Sequence, residues 1–350
     1  MSIDNKISYL PNKHMHKLVG DVEPSMRYKK GEDLAAWQSE SRKKLSELLG
    51  IGEIEKFACD NEFTIDYDKT DYRAGFREIR FRFFSEEGVI VPCHLVVPLD
   101  AKEPLPVVIC LQGHSTGMHI SLGRAVYGER DVNLAKDGDR DFAIRTVKEG
   151  YAAVTVEQRC FGECGNDPKT GDPDCRHAAM RAILLGRTLI GERVWDIMRT
   201  IDMLKANFSE IIDGEKVICL GNSGGGTATI YASALDERIK VSVPSCAFCT
   251  YADSIAAMPH CNCNYVPYIA KYFDMGELCG MVAPRGLVVV NGKQDKIFPE
   301  AGAKEAFTYT KEIYKASGVK NKCYHIFGEE GHRFYADAAW PTIHKLIKEI

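Results

Sequence analysis

Val217-Ile218-Cys219-Leu220-Gly221-Asn222-Ser223-Gly224-Gly225-Gly226 is the stretch from which the rest of the chain is read. Its four apolar residues predict a buried strand, and residues 227–235 carry a helix-compatible run. Between the two, Gly221, Ser223 and Gly225 complete a Gly-x-Ser-x-Gly pattern. The spacing has a steric cause. A serine on a sharp strand-to-helix turn takes a strained backbone conformation, and glycines on either side remove side-chain clashes. Such a turn lifts the Ser223 hydroxyl out of the sheet, near the positive end of the following helix. Ser223 is therefore the candidate nucleophile, and the chain must supply a base, an acid and an oxyanion hole.

A serine hydroxyl attacks poorly until a base removes its proton. The candidate base is His332 in Phe327-Gly328-Glu329-Glu330-Gly331-His332-Arg333, on a glycine-containing loop past the last expected strand. Among the other nine histidines, His14, His16 and His344 fall in terminal segments, and His94 and His325 fall inside strands as structural residues. His114, His119, His177 and His260 remain possible pocket residues. The candidate acid is Asp295, presented by the turn after Leu287-Val288-Val289-Val290, where it can accept the imidazole N–H and fix the tautomer. Glu300, Glu329 and Glu330 are alternatives. A tetrahedral intermediate needs two N–H donors. Gly224 supplies one, and His114 in Gln112-Gly113-His114-Ser115-Thr116-Gly117, where Gly113 turns the chain, supplies the other.

Working outward, residues 1–60 read as an N-terminal helical extension, with an amphipathic helix over 32–49. Residues 61–350 read as one catalytic domain. Strands are expected at 63–67, 76–84 and 89–97, the last two joined as a hairpin at 85–88. Further strands follow at 107–111, 153–157, 217–220, 241–243, 287–290 and 324–327, with helices at 141–149, 184–206, 227–235 and 300–316. An antiparallel start followed by strand–helix alternation predicts a mostly parallel twisted sheet with helices on both faces. Insertions at 161–178 and 245–280 leave strands at their carboxyl ends, where active sites of open α/β sheets lie. They are the expected pocket walls.

With 350 residues, 45% of them hydrophobic, the chain can build one large core. A net charge of -4 argues against a nucleic-acid partner. No apolar run approaches the ~20 residues of a membrane span, and residues 1–8 lack the blocks of an export signal. Thirteen cysteines, an odd number, include Cys93, Cys110 and Cys219 inside apolar strands. A reduced, cytoplasmic protein is expected.

Gly113-His114, Glu157-Gln158-Arg159-Cys160-Phe161-Gly162, the serine turn, Asp295 and His332 together make the chain resemble the α/β-hydrolase superfamily. More narrowly, it resembles bacterial serine esterases of the acetyl xylan esterase-like and dienelactone-hydrolase-like kind. Gly186-Arg187-Thr188-Leu189-Ile190-Gly191-Glu192-Arg193-Val194-Trp195-Asp196, His260 to Tyr265 and Ala283-Pro284-Arg285 add to the match, which runs from about Arg73 onward. The order Ser, Asp, His is that of the superfamily. Dienelactone hydrolases use a cysteine nucleophile, so Ser223 points away from that activity.

The resemblance implies a carbohydrate esterase that removes short acyl groups, acetyl foremost, from carbohydrates or small molecules through an acyl-enzyme on Ser223. No metal or organic cofactor is expected, and a homo-oligomer is compatible with the sequence. An aminopeptidase-like or amide hydrolase on the same triad is the alternative. A non-catalytic binding protein on a hydrolase fold is another. Gly113, Arg159, His260 and Tyr265 are candidate substrate contacts, although Arg159 beside Glu157 also reads as an ion pair. Glu192, Arg193 and Asp196 are expected to hold their helix under the loops. Cys246, Cys249, His260, Cys261 and Cys263 could supply soft zinc ligands. Cys261 and Cys263 would face opposite sides of an extended chain, however, which disfavours a shared metal.

Overall fold

The computed structural model describes residues 11–59, 62–102, 104–115, 117–167 and 169–350. Residues 1–10 and 60 of the expected extension and Thr116 of the glycine turn lie outside the described residues. The described residues form nine strands: β1 Phe63–Asp71, β2 Phe76–Glu86, β3 Val89–Pro98, β4 Leu105–Leu111, β5 Ala152–Val156, β6 Ile212–Asn222, β7 Ile239–Ser245, β8 Gly286–Gly292 and β9 Cys323–Gly328. They join one sheet in the order β1-β2-β3-β5-β4-β6-β7-β8-β9. Pairing is antiparallel from β1 to β5 and parallel from β5 through β9, as the sequence pattern predicts. The β2–β3 hairpin turns at Gly88, whose φ of 76° suits a residue without a side chain.

Strand periodicity distributes the apolar residues to two faces. Val107, Ile109 and Leu111 of β4 enter one core, and Val108 and Cys110 enter the other. Helices Leu34–Leu49, Leu189–Asn207, Gly224–Leu235 and Glu300–Ala316 cover the first face, while Phe142–Lys148 and Ala336–Ile347 cover the second. Cys93, Cys110 and Cys219 are buried strand cysteines, as read from the sequence.

The helix Leu34–Leu49 is part of the core. Asp33 caps it through Ala36 N–H, at 3.1 Å, and it ends at Gly50 in the left-handed region. Leu45, Leu49 and Ile54 are fully buried. Thr188 Oγ1 donates to the Leu49 carbonyl at 2.9 Å, and Arg42 donates to the Met281 carbonyl at 3.0 Å. Helix Pro11–Asp21 buries no residue.

Two details depart from the sequence expectation, and one helix not read from the sequence carries a proline. The helix expected over 184–206 starts instead at Leu189, because Gly186 takes a φ of 71° and Thr188 caps the new start through Gly191 N–H. The 161–178 insertion is not all loop, since helix Cys175–Leu184 begins inside it. Helix Ala336–Ile347 contains Pro341, which reads as a breaker costing about 3 kcal/mol in a helix interior. Burial of Trp340, Ile343 and Leu346 on the sheet offsets that cost.

Because Leu45 lies in the main core, Leu45→Ala is expected to destabilise the protein by about 2–5 kcal/mol. Urea unfolding should show the loss in a single transition. A separate early transition for the N-terminal segment would contradict shared-core packing.

Candidate active site

Ser223 stands between β6 and helix Gly224–Leu235, with φ 55° and ψ -122°. Its N–H donates to the Ser245 carbonyl at 2.8 Å, and its carbonyl accepts from Thr227 N–H at 2.8 Å. Any side chain at Gly221 would press into the Gly225 carbonyl, and any at Gly225 into the Leu111 carbonyl. The Gly-x-Ser-x-Gly spacing is thus a packing requirement of the turn. Gly113 is under the same constraint, since a Cβ there would lie 2.8 Å from both Asn222 O and Ser223 Cβ. The glycine turn after β4 is pressed against the serine.

His332 Nδ1 is 2.8 Å from Asp295 Oδ2, which leaves Nε2 available to the cleft. The other Asp295 oxygen accepts N–H bonds from Ile297, at 2.8 Å, and Phe298, at 3.2 Å. Burial alone would push this carboxyl up. The bond to His332, the charge of that ring and the two N–H donors outweigh burial and hold it below the usual carboxylate range. Phe298 stacks on His332 with ring centroids 6.0 Å apart and 18° between planes. These contacts fix both ring orientation and tautomer.

Ser223 and His332 face one cavity of about 350 Å³, which Gly113, His114, Gly224 and His260 also line. Its walls come from the glycine turn after β4 and from the 245–280 insertion, through Met258, Cys261 and Asn264, whereas the 161–178 insertion, also expected as a wall, contributes none of its lining residues among those described. Sequence reasoning did not single out Arg140, Asn264 or Phe298 as cleft residues. Phe298, three residues after Asp295, and Asn264, inside the expected 245–280 wall, carried a positional signal, and Arg140 none. Cys246 was also unforeseen here. Its Sγ lies within 4.8 Å of the reactive atoms of Asp295 and His332, its thiol donates to the Arg333 carbonyl at 3.1 Å, and burial pushes it up to about 12.

Two expected substrate contacts lie elsewhere. Arg159 does not line the cleft. Its guanidinium bonds Asp196 through Nε and Nη2, each at 2.8 Å, and Glu86 through Nη1 at 2.6 Å. Arg187 shares Glu86 at 2.6 Å and reaches Glu192 at 3.0 Å, so two guanidinium groups and three carboxylates form one buried cluster. Glu157 is not the partner of Arg159; it is buried and accepts N–H bonds from Met118 and Glu163. Tyr265 lines a neighbouring surface hollow, with its hydroxyl on the Ile255 carbonyl at 3.3 Å.

The remaining histidines sort by environment. His325 bonds Asn291 at 3.0 Å inside a set of phenylalanines, and burial lowers its pKa to about 3. His94 bonds Glu78 at 2.7 Å, and His119 bonds Asp131 at 2.7 Å outside the cleft. His344 is not merely solvated, since it bridges Tyr151 and Glu149. The expectation that Cys261 and Cys263 face apart also fails. Residues Asn262–Asn264 form a 3-10 turn instead of an extended strand, which brings the two sulfurs to 3.4 Å.

Residues 8–338 match the model of the Abhydrolase family. A Bacillus subtilis (strain 168) protein described as a candidate hydrolase, YtaP, is 24% identical over 238 residues, covering 67% of this chain and 75% of its own length. A candidate acetyl xylan esterase from Bacteroides fragilis has the same fold, with a TM-score of 0.76, 16% identity and coverage of 93% and 84% of the two chains. So does a glucuronoyl esterase from Solibacter usitatus, with a TM-score of 0.65, 16% identity and 99% of each chain covered.

Two measurements check the electrostatics. Removing one partner of a buried charge cluster costs about 3–5 kcal/mol, so Arg159→Met should lower unfolding free energy by that amount without altering ligand contacts in the cleft. The Asp295 carboxyl titrates below its unfolded value of about 3.9. Its ionised form therefore stabilises the fold fully above that pH, and the contribution disappears as pH falls through the lower folded value. Asp295→Asn should flatten this acid limb of the stability profile; an unchanged limb would show that the pair does not stabilise the fold.

Proposed function

Since the chain belongs to the Abhydrolase family, we propose that it is a serine esterase that removes short acyl groups, acetyl foremost, from carbohydrates or small molecules. The observation that carries this reading is the strained Ser223 on the same cavity as a His332 already held by Asp295. In the proposed reaction Ser223 Oγ attacks the ester carbonyl carbon while His332 Nε2 takes its proton. N–H groups of Gly224 and His114 stabilise the oxyanion. The intermediate then expels the alcohol, which receives the proton from His332. A water molecule activated by the same ring attacks the acyl-enzyme and releases the acid and free Ser223. His260, on the cleft wall against Phe298, is positioned to contact the alcohol portion.

The cavity is small, which suits a short acyl group and a sugar-sized alcohol. A reduced interior location fits the buried thiols of the strands. Among the described residues, no helix is long and apolar enough to cross a membrane.

Arg140 favours a second substrate reading. It lines the cleft, its Nη1 donates to the Asp137 backbone carbonyl at 3.2 Å, the Asp137 carboxylate acts on it only through its charge, and among the described residues no carboxylate forms an ion pair with it. A guanidinium there can bind the oxygens of a uronic acid ester, the class named for the Solibacter usitatus relative.

Hydrolysis of 4-nitrophenyl acetate through octanoate, acetylated xylose and methyl glucuronate separates these readings. Ser223→Ala should lose on the order of 10⁴-fold or more in kcat. Acetate preference supports the deacetylase. Preference for methyl glucuronate that collapses in Arg140→Met supports the second reading. Activity that persists in Ser223→Ala overturns both.

A further inference from the structure

We propose that His114, Cys175, Cys261 and Cys263 form a tetrahedral zinc(II) site on the wall of the cleft. Their ligand atoms all lie within 4.8 Å of one another. His114 Nε2 is 3.2 Å from Cys263 Sγ, and Cys263 Sγ is 3.4 Å from Cys261 Sγ. Zinc–sulfur bonds of about 2.3 Å and a zinc–nitrogen bond of about 2.0 Å give tetrahedral edges of about 3.5–3.8 Å. The His114–Cys263 and Cys261–Cys263 separations lie within a few tenths of an ångström of these edges, and no other separation exceeds 4.8 Å, so adjustments of at most about 1 Å would place an ion at the centre.

The four ligands come from three separate segments. His114 follows β4, Cys175 begins the helix inside the first insertion, Cys261 precedes the 3-10 turn of the second, and Cys263 lies within that turn. No linear motif announces the set. Cys246 and Cys249, the other cysteines that sequence spacing groups with them, bond the carbonyls of Arg333 and Pro299 instead.

Charge supplies an independent observation. Arg193 is 1% exposed, its guanidinium lies 4.2 Å over the Phe161 ring, and among the described residues no carboxylate pairs with it. Its Nε and Nη2 donate to the Arg159 carbonyl, Nη2 also reaches Cys175 Sγ at 3.2 Å, and Nη1 is buried without a partner. A buried cation requires a counter-charge. Zinc(II) with three thiolates and a neutral imidazole carries a net charge of minus one, which matches one guanidinium. Loading balances as one zinc ion bound and three thiol protons released to solvent.

Three thiolates and an imidazole complete a closed four-coordinate set of the structural kind. The ion would therefore clamp the walls of the cleft and would not polarise substrate. His114 is its link to the site, since the imidazole lies against Gly224. Here His114 acts as a positioning residue through its side chain.

The test is metal analysis of the full chain, reconstituted with zinc under reducing conditions and desalted. The expected result is one zinc per chain, released in proportion to thiols titrated by a mercurial. Cobalt(II) in its place should give visible d–d bands with thiolate charge-transfer absorption. The double variant Cys175→Ser, Cys261→Ser should retain no zinc. Should that variant fail to fold, the wild-type stoichiometry and cobalt spectrum decide. Less than a tenth of an equivalent of zinc in the folded wild type, a cobalt spectrum without thiolate bands, or full retention by a folded double variant would overturn the proposal. None of these readouts depends on esterase activity.

Discussion

A side chain at a φ of 55° is held against its own preference at Ser223, at a cost of order 1–3 kcal/mol. The surrounding structure leaves it no alternative. Its N–H is tied to β7 and its carbonyl to the first turn of the helix, while β4 and the Gly225 peptide close in from two sides. The neighbouring strands must end at matching heights for these contacts to exist. The β4–β6 and β6–β7 registers run in phase through Leu111–Gly221 and Asn222–Ser245. The arrangement of the sheet and the exposure of one hydroxyl are therefore aspects of the same constraint.

Around this point, most buried charge is paired, with Arg140 and Arg193 the exceptions described above. Two arginines and three carboxylates bind the end of β2, the exit of β5 and the start of helix Leu189–Asn207. That cluster anchors the entry to the first insertion through Arg159, and the helix Cys175–Leu184 of that insertion packs on the second insertion through Cys175 and Cys263. The cleft walls thus rest on polar and sulfur contacts, whereas the floor rests on the apolar strands.

Sequence spacing was enough to read the sheet, because buried parallel strands leave short apolar runs and the elbow leaves glycines at fixed intervals. Ser223, Asp295 and His332 were legible for the same reason: each follows a strand at its carboxyl end. Arg159 was misplaced because an arginine after a strand gives no sign of its partners, and Glu86 and Asp196 are distant in sequence. Cys261 and Cys263 were misjudged because the alternation rule holds only for extended chain. Cys175 was not associated with them at all, since spacing cannot reveal a neighbour supplied by another insertion. Arg140 had no signal beyond its charge. Local geometry is written in local sequence, while clusters assembled from several loops become visible only after folding.

The linear order of the three central residues has a consequence for synthesis. Ser223 emerges first, Asp295 next, and His332 only after β9, itself a strand that pairs with β8 alone. While the ribosome is still extending the chain past β8, an elbow that had already formed would hold an alcohol with no imidazole beside it. On the proposed mechanism, a nascent chain is chemically silent until its final strand has docked. Competence to react therefore coincides with closure of the sheet and is granted last, when the segment that completes the fold delivers the base.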